Sequence, residues 1–152
     1  MTRWERPVLA ILLVIAALAM PAPAAGQVVV VVPAASGASD VSLEELRRYF
    51  TGKGTLDNRK VQVVELVRLR RAFYQALLKM SEDDVRRRWV ALMFRGEASA
   101  MPKEFDDAGD VVKYVAGHPG AIGFVEAGAA GAGVKVLSVG GKKPSDPGYP
   151  LR

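Results

Sequence analysis

Three arginines stand at the point where a predicted strand gives way to a predicted helix. Arg68, Arg70 and Arg71 follow directly on the apolar run from Val61 to Val67. The first turn of a helix presents free backbone N–H groups, and a guanidinium can hold an oxyanion with two parallel hydrogen bonds. The three arginines therefore predict contact with an oxyanion such as phosphate, with Arg68 as the principal contact. The alternative is that they lie on a solvated helix surface.

A second group that could bind an anion follows the first predicted strand. Ser36 and Ser39 enclose Gly37 and Ala38 in a short polar segment. Hydroxyls and successive backbone amides in such a loop can surround an oxyanion. The alternative is an ordinary loop that leads to a helix N-cap at Ser42. Ser36 and Ser39 are therefore the second pair of candidate ligand-binding residues.

Several other kinds of chemistry lack the residues they need. The sequence has no cysteine and one histidine, His118, which excludes disulfides, thiolate zinc sites, cysteine nucleophiles and histidine-rich metal sites. Asp106, Asp107 and Asp110 lack the glycine and terminal glutamate of a calcium loop and are typical of a helix start. No nucleophile elbow, phosphate-loop motif or pair of catalytic carboxylates can be assigned. We therefore expect a binding protein and not an enzyme, with no cofactor and no metal.

The N-terminal segment has the layout of a secretory signal peptide. A weakly positive start is followed by an unbroken apolar run over residues 8–20 and then by the small residues 21–26. The run is shorter than a membrane-spanning helix needs, and Ala22 and Ala24 fit the small-x-small cleavage pattern. We expect a signal peptide at residues 1–24 and a periplasmic or secreted protein with no membrane span after cleavage. An uncleaved membrane anchor is the alternative.

Size and charge fit one globular domain that does not bind nucleic acid. The chain has 152 residues, of which 24% are charged with both signs interspersed. Loss of residues 1–24 removes two arginines and one glutamate, which lowers the formal charge from +5 to +4. A nucleic-acid-binding protein needs a clustered basic stripe, and a net charge of this size supplies only a weak field.

Strand-like and helix-like patterns alternate along the rest of the chain. Apolar, mostly β-branched runs predict strands at residues 27–32, 61–67, 121–126 and 134–139. Apolar residues at helical spacing predict helices that begin near Ser42, Arg68, Ser81 and Asp106 or Asp107. The first strand is continuously apolar, which is typical of a strand covered on both faces in a parallel sheet. The alternation predicts an α/β domain over residues 25–140, a mixed and mostly parallel sheet flanked by helices, with an irregular tail at 141–152.

The order of motifs along residues 27–151 resembles that of the phosphate-type substrate-binding proteins of ABC transporters. The matching elements are residues 42–53 (SLEELRRYFTGK), residues 71–78 (RAFYQALL), Trp89 with residues 94–96 (FRG), residues 111–125 ending in HPGAIGFV, and residues 146–151 (DPGYPL). The resemblance implies a lobe of the periplasmic-binding-protein type II-like fold. It also implies phosphate or a similar oxyanion as ligand, and an ABC-transporter permease or another envelope protein as partner.

Two departures from the family pattern keep a second function open. The family has two lobes, and this sequence has the length of about one. The family also binds phosphate at a Ser-Gly-Thr turn, where this chain reads ELVRLRR over residues 65–71, and Glu65 would repel an anion. The first hypothesis is an exported oxyanion-binding module that is a component of phosphate ABC transport. The alternative is an envelope protein that reuses the fold for protein–protein interaction and binds no small ligand.

Overall fold

The computed structural model describes residues 26–152. In chain order the strands are β1 (Val28–Pro33), β2 (Asp40–Val41), β3 (Thr55–Leu56), β4 (Arg59–Lys60), β5 (Gln62–Leu66), β6 (Lys103–Phe105), β7 (Ala121–Glu126), β8 (Val134–Val136) and β9 (Ser138–Val139). The helices are α1 (Leu43–Phe50), α2 (Arg70–Leu78), α3 (Glu82–Phe94) and α4 (Ala108–Gly117). Short 3-10 turns occur at Val67–Leu69 and Ala127–Ala129. The predicted signal peptide at residues 1–24 lies outside the described residues.

Five strands form one mixed sheet in the order β6-β5-β7-β1-β8. β5 pairs in parallel with β6 and β7, whereas β1 pairs antiparallel with β7 and β8. The predicted α/β class, with a mixed sheet flanked by helices, is therefore confirmed. Val29 to Val32 are fully buried, as predicted, but the parallel neighbours expected for this strand are wrong. A central strand is continuously apolar because both its faces are covered, whatever the direction of its neighbours.

Helices cover the two faces of the sheet unequally. A Cβ added to Gly123 on β7 would meet Val111 and Val115 of α4, so this face of the strand packs against α4. The next residue, Phe124, points to the opposite face. There its ring stacks on Phe73 of α2, with centroids 3.9 Å apart. Helices α1, α2 and α3 therefore lie on one side of the sheet and α4 on the other.

Three of the four predicted helix starts are confirmed by capping hydrogen bonds, and the fourth helix, α2, begins at Arg70 without a side-chain cap. Ser42 accepts a hydrogen bond from the Glu45 amide at 3.0 Å, and Ser81 accepts one from the Asp84 amide at 3.1 Å. Asp107 caps α4 by accepting from the amides of the second and third residues that follow it. A polar side chain at the N-cap satisfies backbone donors that have no partner inside the helix.

Three short features differ from the predicted elements. A tight hairpin joins β3 to β4 through Asp57 and Asn58, both at positive φ (52° and 61°). β6 forms at Lys103–Phe105, outside the four predicted strands, and it pairs with β5 at the sheet edge. These strands have two or three residues, too few for a periodic pattern to show. The segment 141–152 is irregular, but Tyr149 and Leu151 are buried in the core.

No helix among residues 26–152 is long and apolar enough to cross a membrane. Within the same residues no group of histidine, cysteine and acidic side chains is placed to hold a metal ion.

Replacement of Gly52 by alanine is expected to lower the free energy of unfolding by about 2–3 kcal/mol. Gly52 ends α1 with φ +83°, and an added Cβ would lie 2.7 Å from Leu92 Cδ1 and 3.2 Å from the Trp89 ring. The backbone conformation and the contact with α3 both oppose a side chain. Urea denaturation followed by Trp89 fluorescence measures the loss.

Gly96→Ala is the matched control for this variant. Gly96 also has positive φ (+67°), but no atom lies within 4 Å of an added Cβ. We therefore expect a loss of only about 1 kcal/mol, from the backbone conformation alone. Equal losses at Gly52 and Gly96 would contradict the close packing of α1 against α3.

Candidate functional site

The three predicted arginines lie where β5 ends and α2 begins. β5 ends at Leu66, a 3-10 turn carries Arg68, and α2 begins with Arg70 and Arg71. No side chain caps this helix. The sequence predicts a strand followed closely by a helix N-terminus, and the structure has this arrangement with one 3-10 turn between the two elements. The surrounding charges decide whether that place can receive an anion.

Arg70 is surrounded by carboxylates from three different elements. Its Nε lies 3.0 Å from Glu82 of α3, and its Nη1 lies 3.2 Å from Glu65 of β5 and 2.5 Å from Glu104 of β6. Burial by itself would lower the pKa of Arg70, but the hydrogen bonds and negative charges of these glutamates raise it. Three negative charges around one positive charge make this place unfavourable for a further anion.

Glu65 is the buried member of this cluster. The residue is 4% exposed, and its carboxylate accepts hydrogen bonds from the Tyr74 hydroxyl and from Arg70. Loss of hydration on burial raises the pKa of Glu65, and the bonds from Tyr74 and Arg70 oppose that rise. Burial and the neighbouring Glu65 charge also raise the pKa of Tyr74 well above its ordinary value. Glu65, Arg70 and Tyr74 therefore form a polar network inside the α1–α3 side of the domain.

Arg68 and Arg71 lie outside this network on the surface. The Arg68 guanidinium pairs with Glu126 at the end of β7, with Nη2 2.7 Å from Oε1, and its side chain is 51% exposed. Arg71 is exposed and has no ion pair with any residue of the described range. Both line an open surface cavity that Glu82 and Asp83 also line. This cavity combines two cations with two carboxylates.

Ser36 and Ser39 lie at the opposite end of the sheet, beyond the start of β5 and not beyond its end. β1 is antiparallel to β7, and β7 is parallel to β5, so the end of β1 lies beside the start of β5. The loop that follows β1 is therefore separated from the end of β5 by about 15 Å, the length of the five-residue strand. The structure brings Arg68, Arg70 and Arg71 together but does not bring them to Ser36 and Ser39.

A carboxylate of the same chain already occupies the Ser36 loop. The Gly37 amide donates to Asp57 Oδ1 at 2.9 Å, and Lys135 Nζ lies 2.5 Å from the Ser36 carbonyl. Hydrogen bonds from Ser36 and Gly37, with the charge of Lys135, lower the pKa of Asp57. The Gly37 amide and the Ser36 hydroxyl thus bind a carboxylate of the chain itself, and these bonds hold the tip of the β3–β4 hairpin in place. Ser39 is exposed, and its Oγ lies 3.4 Å from Lys135 Nζ.

The carboxylates around Arg70 are the residues that sequence patterns identify least well. Glu65 interrupts an apolar strand, and an ionisable residue at a buried strand position requires a partner. That signal is present in the sequence, but it does not name the partner. Glu82 looks like a first-turn acid of α3, and Glu104 lies in a strand of three residues. The fold brings them together because β5 and β6 are parallel neighbours and α3 packs against α2.

Three solved structures have a similar fold, and two of them are named for phosphate transport. A phosphate ABC transporter substrate-binding protein from Clostridium perfringens, solved with bound phosphate, matches with a TM-score of 0.61 at 17% identity. An ABC-type phosphate transport receptor from Vibrio cholerae and PstS from Borrelia burgdorferi both match with a TM-score of 0.58, at 16% and 13% identity. No family model and no curated protein matches the sequence.

The matches cover 78% of this chain but only 46–49% of each of those structures, so the chain spans about half their length. The described residues thus have the mixed α/β fold of one part of a phosphate-receptor structure.

Proposed function

We propose that this chain is an exported binding module of the cell envelope that has the phosphate-receptor fold and acts through a protein partner. The observation that carries the proposal is the charge around Arg70. The arginine at the start of α2 is already held by Glu65, Glu82 and Glu104. An arriving phosphate would have to displace carboxylates that are fixed in place, one of them buried.

The second anion-binding candidate supports the same proposal. The Gly37 amide and the Ser36 hydroxyl bind Asp57, and Arg68 is paired with Glu126. In both places a carboxylate of the chain stands where an external oxyanion would bind. The fold can then serve as a rigid platform for an ABC-transporter permease or another envelope protein.

Phosphate or a related oxyanion is the second candidate function. It is favoured by the likeness to phosphate receptors and by Arg68 and Arg71, which line one open cavity. Arg71 has no ion pair within residues 26–152, and Arg68 is half exposed. Binding at this cavity would be weak unless Arg68 left Glu126.

Isothermal titration of the purified protein with phosphate, and separately with sulfate, tests the proposal. We expect no saturable heat up to millimolar anion and no change in Trp89 fluorescence, because Arg68 and Arg70 are neutralised within the chain and Arg71 is a single exposed cation that shares its cavity with Glu82 and Asp83. The same result is expected for Arg68→Ala.

Saturable binding of phosphate at micromolar concentration would overturn the proposal if Arg68→Ala abolished it. Lys113→Ala is the matched control, since Lys113 is an exposed cation on α4, on the far side of the sheet.

A further inference from the structure

Helix α3 carries an apolar group on its solvent side. Val90 is 40% exposed, Met93 is 37% exposed and Phe94 is 88% exposed. The opposite side of the helix is the one that holds it to the domain, through Val85, Trp89 and Leu92. Phe94 is therefore not needed for packing, whereas Val90 and Met93 are more than half covered by the domain. Their spacing of three and four places the three residues together at the C-terminal end of the helix.

Cations surround this apolar group. Arg86 and Arg87 line the same helix surface as Val90 and Phe94, and Arg95 follows Phe94 directly. We call these six residues, Arg86, Arg87, Val90, Met93, Phe94 and Arg95, the α3 patch.

Two lysines extend the positive charge beyond the end of the helix. Lys60 Nζ donates to the Glu97 carbonyl at 2.5 Å. The hydrogen bond from Arg95 lowers the pKa of the Glu97 carboxyl, and the charges of Lys53 and Lys60 add to this effect. The positive charge of the α3 patch therefore continues onto the β3–β4 region.

This surface has fewer carboxylates than cations, and two of the carboxylates each neutralise one arginine of the α3 patch. Glu97 pairs with Arg95 at 2.9 Å, and Asp84 pairs with Arg87. Asp83 lies near the start of α3, about 16 Å along the helix axis from Phe94. The end of the helix that carries Phe94 thus combines projecting apolar side chains with an excess of cations.

We propose that the α3 patch docks the protein on the surface of an anionic lipid bilayer. Phe94 and Met93 would enter the headgroup region, and Arg86, Lys53 and Lys60, which have no ion pair within residues 26–152, would face the lipid phosphates. Basic and aromatic side chains on one helix surface are the combination that interfacial helices use. A bilayer fits because Phe94 stands almost free at the end of a helix, where a soft surface can receive it without a complementary pocket. The proposal goes beyond the protein-binding function and does not depend on it.

Sedimentation with extruded vesicles tests the proposal with the purified protein. We expect binding to vesicles of phosphatidylcholine and phosphatidylglycerol in equal parts, weakening as salt is added, and no binding to phosphatidylcholine alone. Phe94→Ala should reduce the vesicle affinity about tenfold. Arg86→Gln combined with Lys53→Gln should reduce it by a similar or larger factor, since each unpaired basic residue near an anionic surface contributes about fivefold.

Matched controls separate the α3 patch from general surface properties. Val136→Ala removes an exposed apolar side chain on the edge strand β8, and Lys113→Gln removes a cation on α4. Neither should change vesicle binding. Urea midpoints establish that each variant is folded, and Phe94 is exposed enough that its loss should not affect them.

Absence of binding to the anionic vesicles would overturn the proposal and leave the α3 patch as a surface for an acidic protein. Vesicle binding that Phe94→Ala leaves unchanged would overturn it as well. Neither result bears on whether Arg68 binds phosphate, because the phosphate titration tests that separately.

Discussion

Arg70→Met is expected to lower the free energy of unfolding by about 3 kcal/mol at pH 7. Arg70 pairs with three glutamates, of which Glu65 is buried beneath it. Methionine fills much of the same volume but leaves the Glu65 carboxylate without a compensating charge. Urea denaturation followed by circular dichroism measures the loss.

The effect of Arg70→Met should depend on pH in a defined direction. Burial already raises the pKa of Glu65 above its ordinary 4.5, and loss of Arg70 raises it further. A carboxyl whose pKa is raised in the folded state contributes stability below its unfolded pKa and loses it as the pH rises through the folded value. The deficit of the variant should therefore be largest at pH 7 to 8 and should shrink towards pH 4.

Two further variants control this prediction. Arg71→Met removes the neighbouring arginine, which is exposed and unpaired within residues 26–152, and should cost no more than about 0.5 kcal/mol. Glu65→Gln keeps an acceptor for the Tyr74 hydroxyl and removes the charge, so the double variant Glu65→Gln/Arg70→Met should recover part of the loss. If Arg70→Met lowered the free energy of unfolding no more than Arg71→Met does, the ion pair of Arg70 with Glu65 would not stabilise the fold as predicted.

Phe124→Ala is expected to cost about 3–5 kcal/mol of stability, the usual range for a large aromatic residue removed from a core. The Phe124 ring is fully buried and stacks on Phe73 with centroids 3.9 Å apart and planes 11° apart. Its centroid is also 5.9 Å from that of Phe50 and 6.1 Å from that of Tyr74. Its removal would leave a cavity where α1 and α2 meet the sheet.

Phe94→Ala is the matched control for Phe124→Ala. The substitution is chemically identical, but Phe94 is 88% exposed, so we expect a change within about 0.5 kcal/mol. Chemical denaturation with Trp89 fluorescence and circular dichroism as two readouts compares the variants. If Phe124→Ala lowered the free energy of unfolding by less than about 1 kcal/mol, the packing of Phe124 would not be what holds α1 and α2 to the sheet.

Local patterns predict most of the longer elements correctly because their causes are local. Ser42, Ser81 and Asp107 cap the helices they are expected to start, since an N-cap needs only one polar side chain and the next few amides. Val29 to Val32 are buried as predicted, because an apolar run with no polar alternation must be covered on both sides.

Strand direction, by contrast, is not contained in such patterns. The same apolar run fits parallel or antiparallel neighbours, and β1 has antiparallel neighbours on both sides. The antiparallel direction of β1 places Ser36 and Ser39 at the opposite end of the strands from Arg68, Arg70 and Arg71. Two groups that each could contact an oxyanion are thereby kept apart.

The sequence by itself determined the α/β class, the helix starts and the position of three arginines at the beginning of α2. Only the tertiary structure decided what surrounds those arginines. Glu65, Glu82 and Glu104 come from a strand, a helix and an edge strand that are distant along the chain, and they meet at Arg70 through packing. Charge type is a property of each residue, but the electrostatic balance of a site depends on which residues the fold brings within a few ångströms of one another.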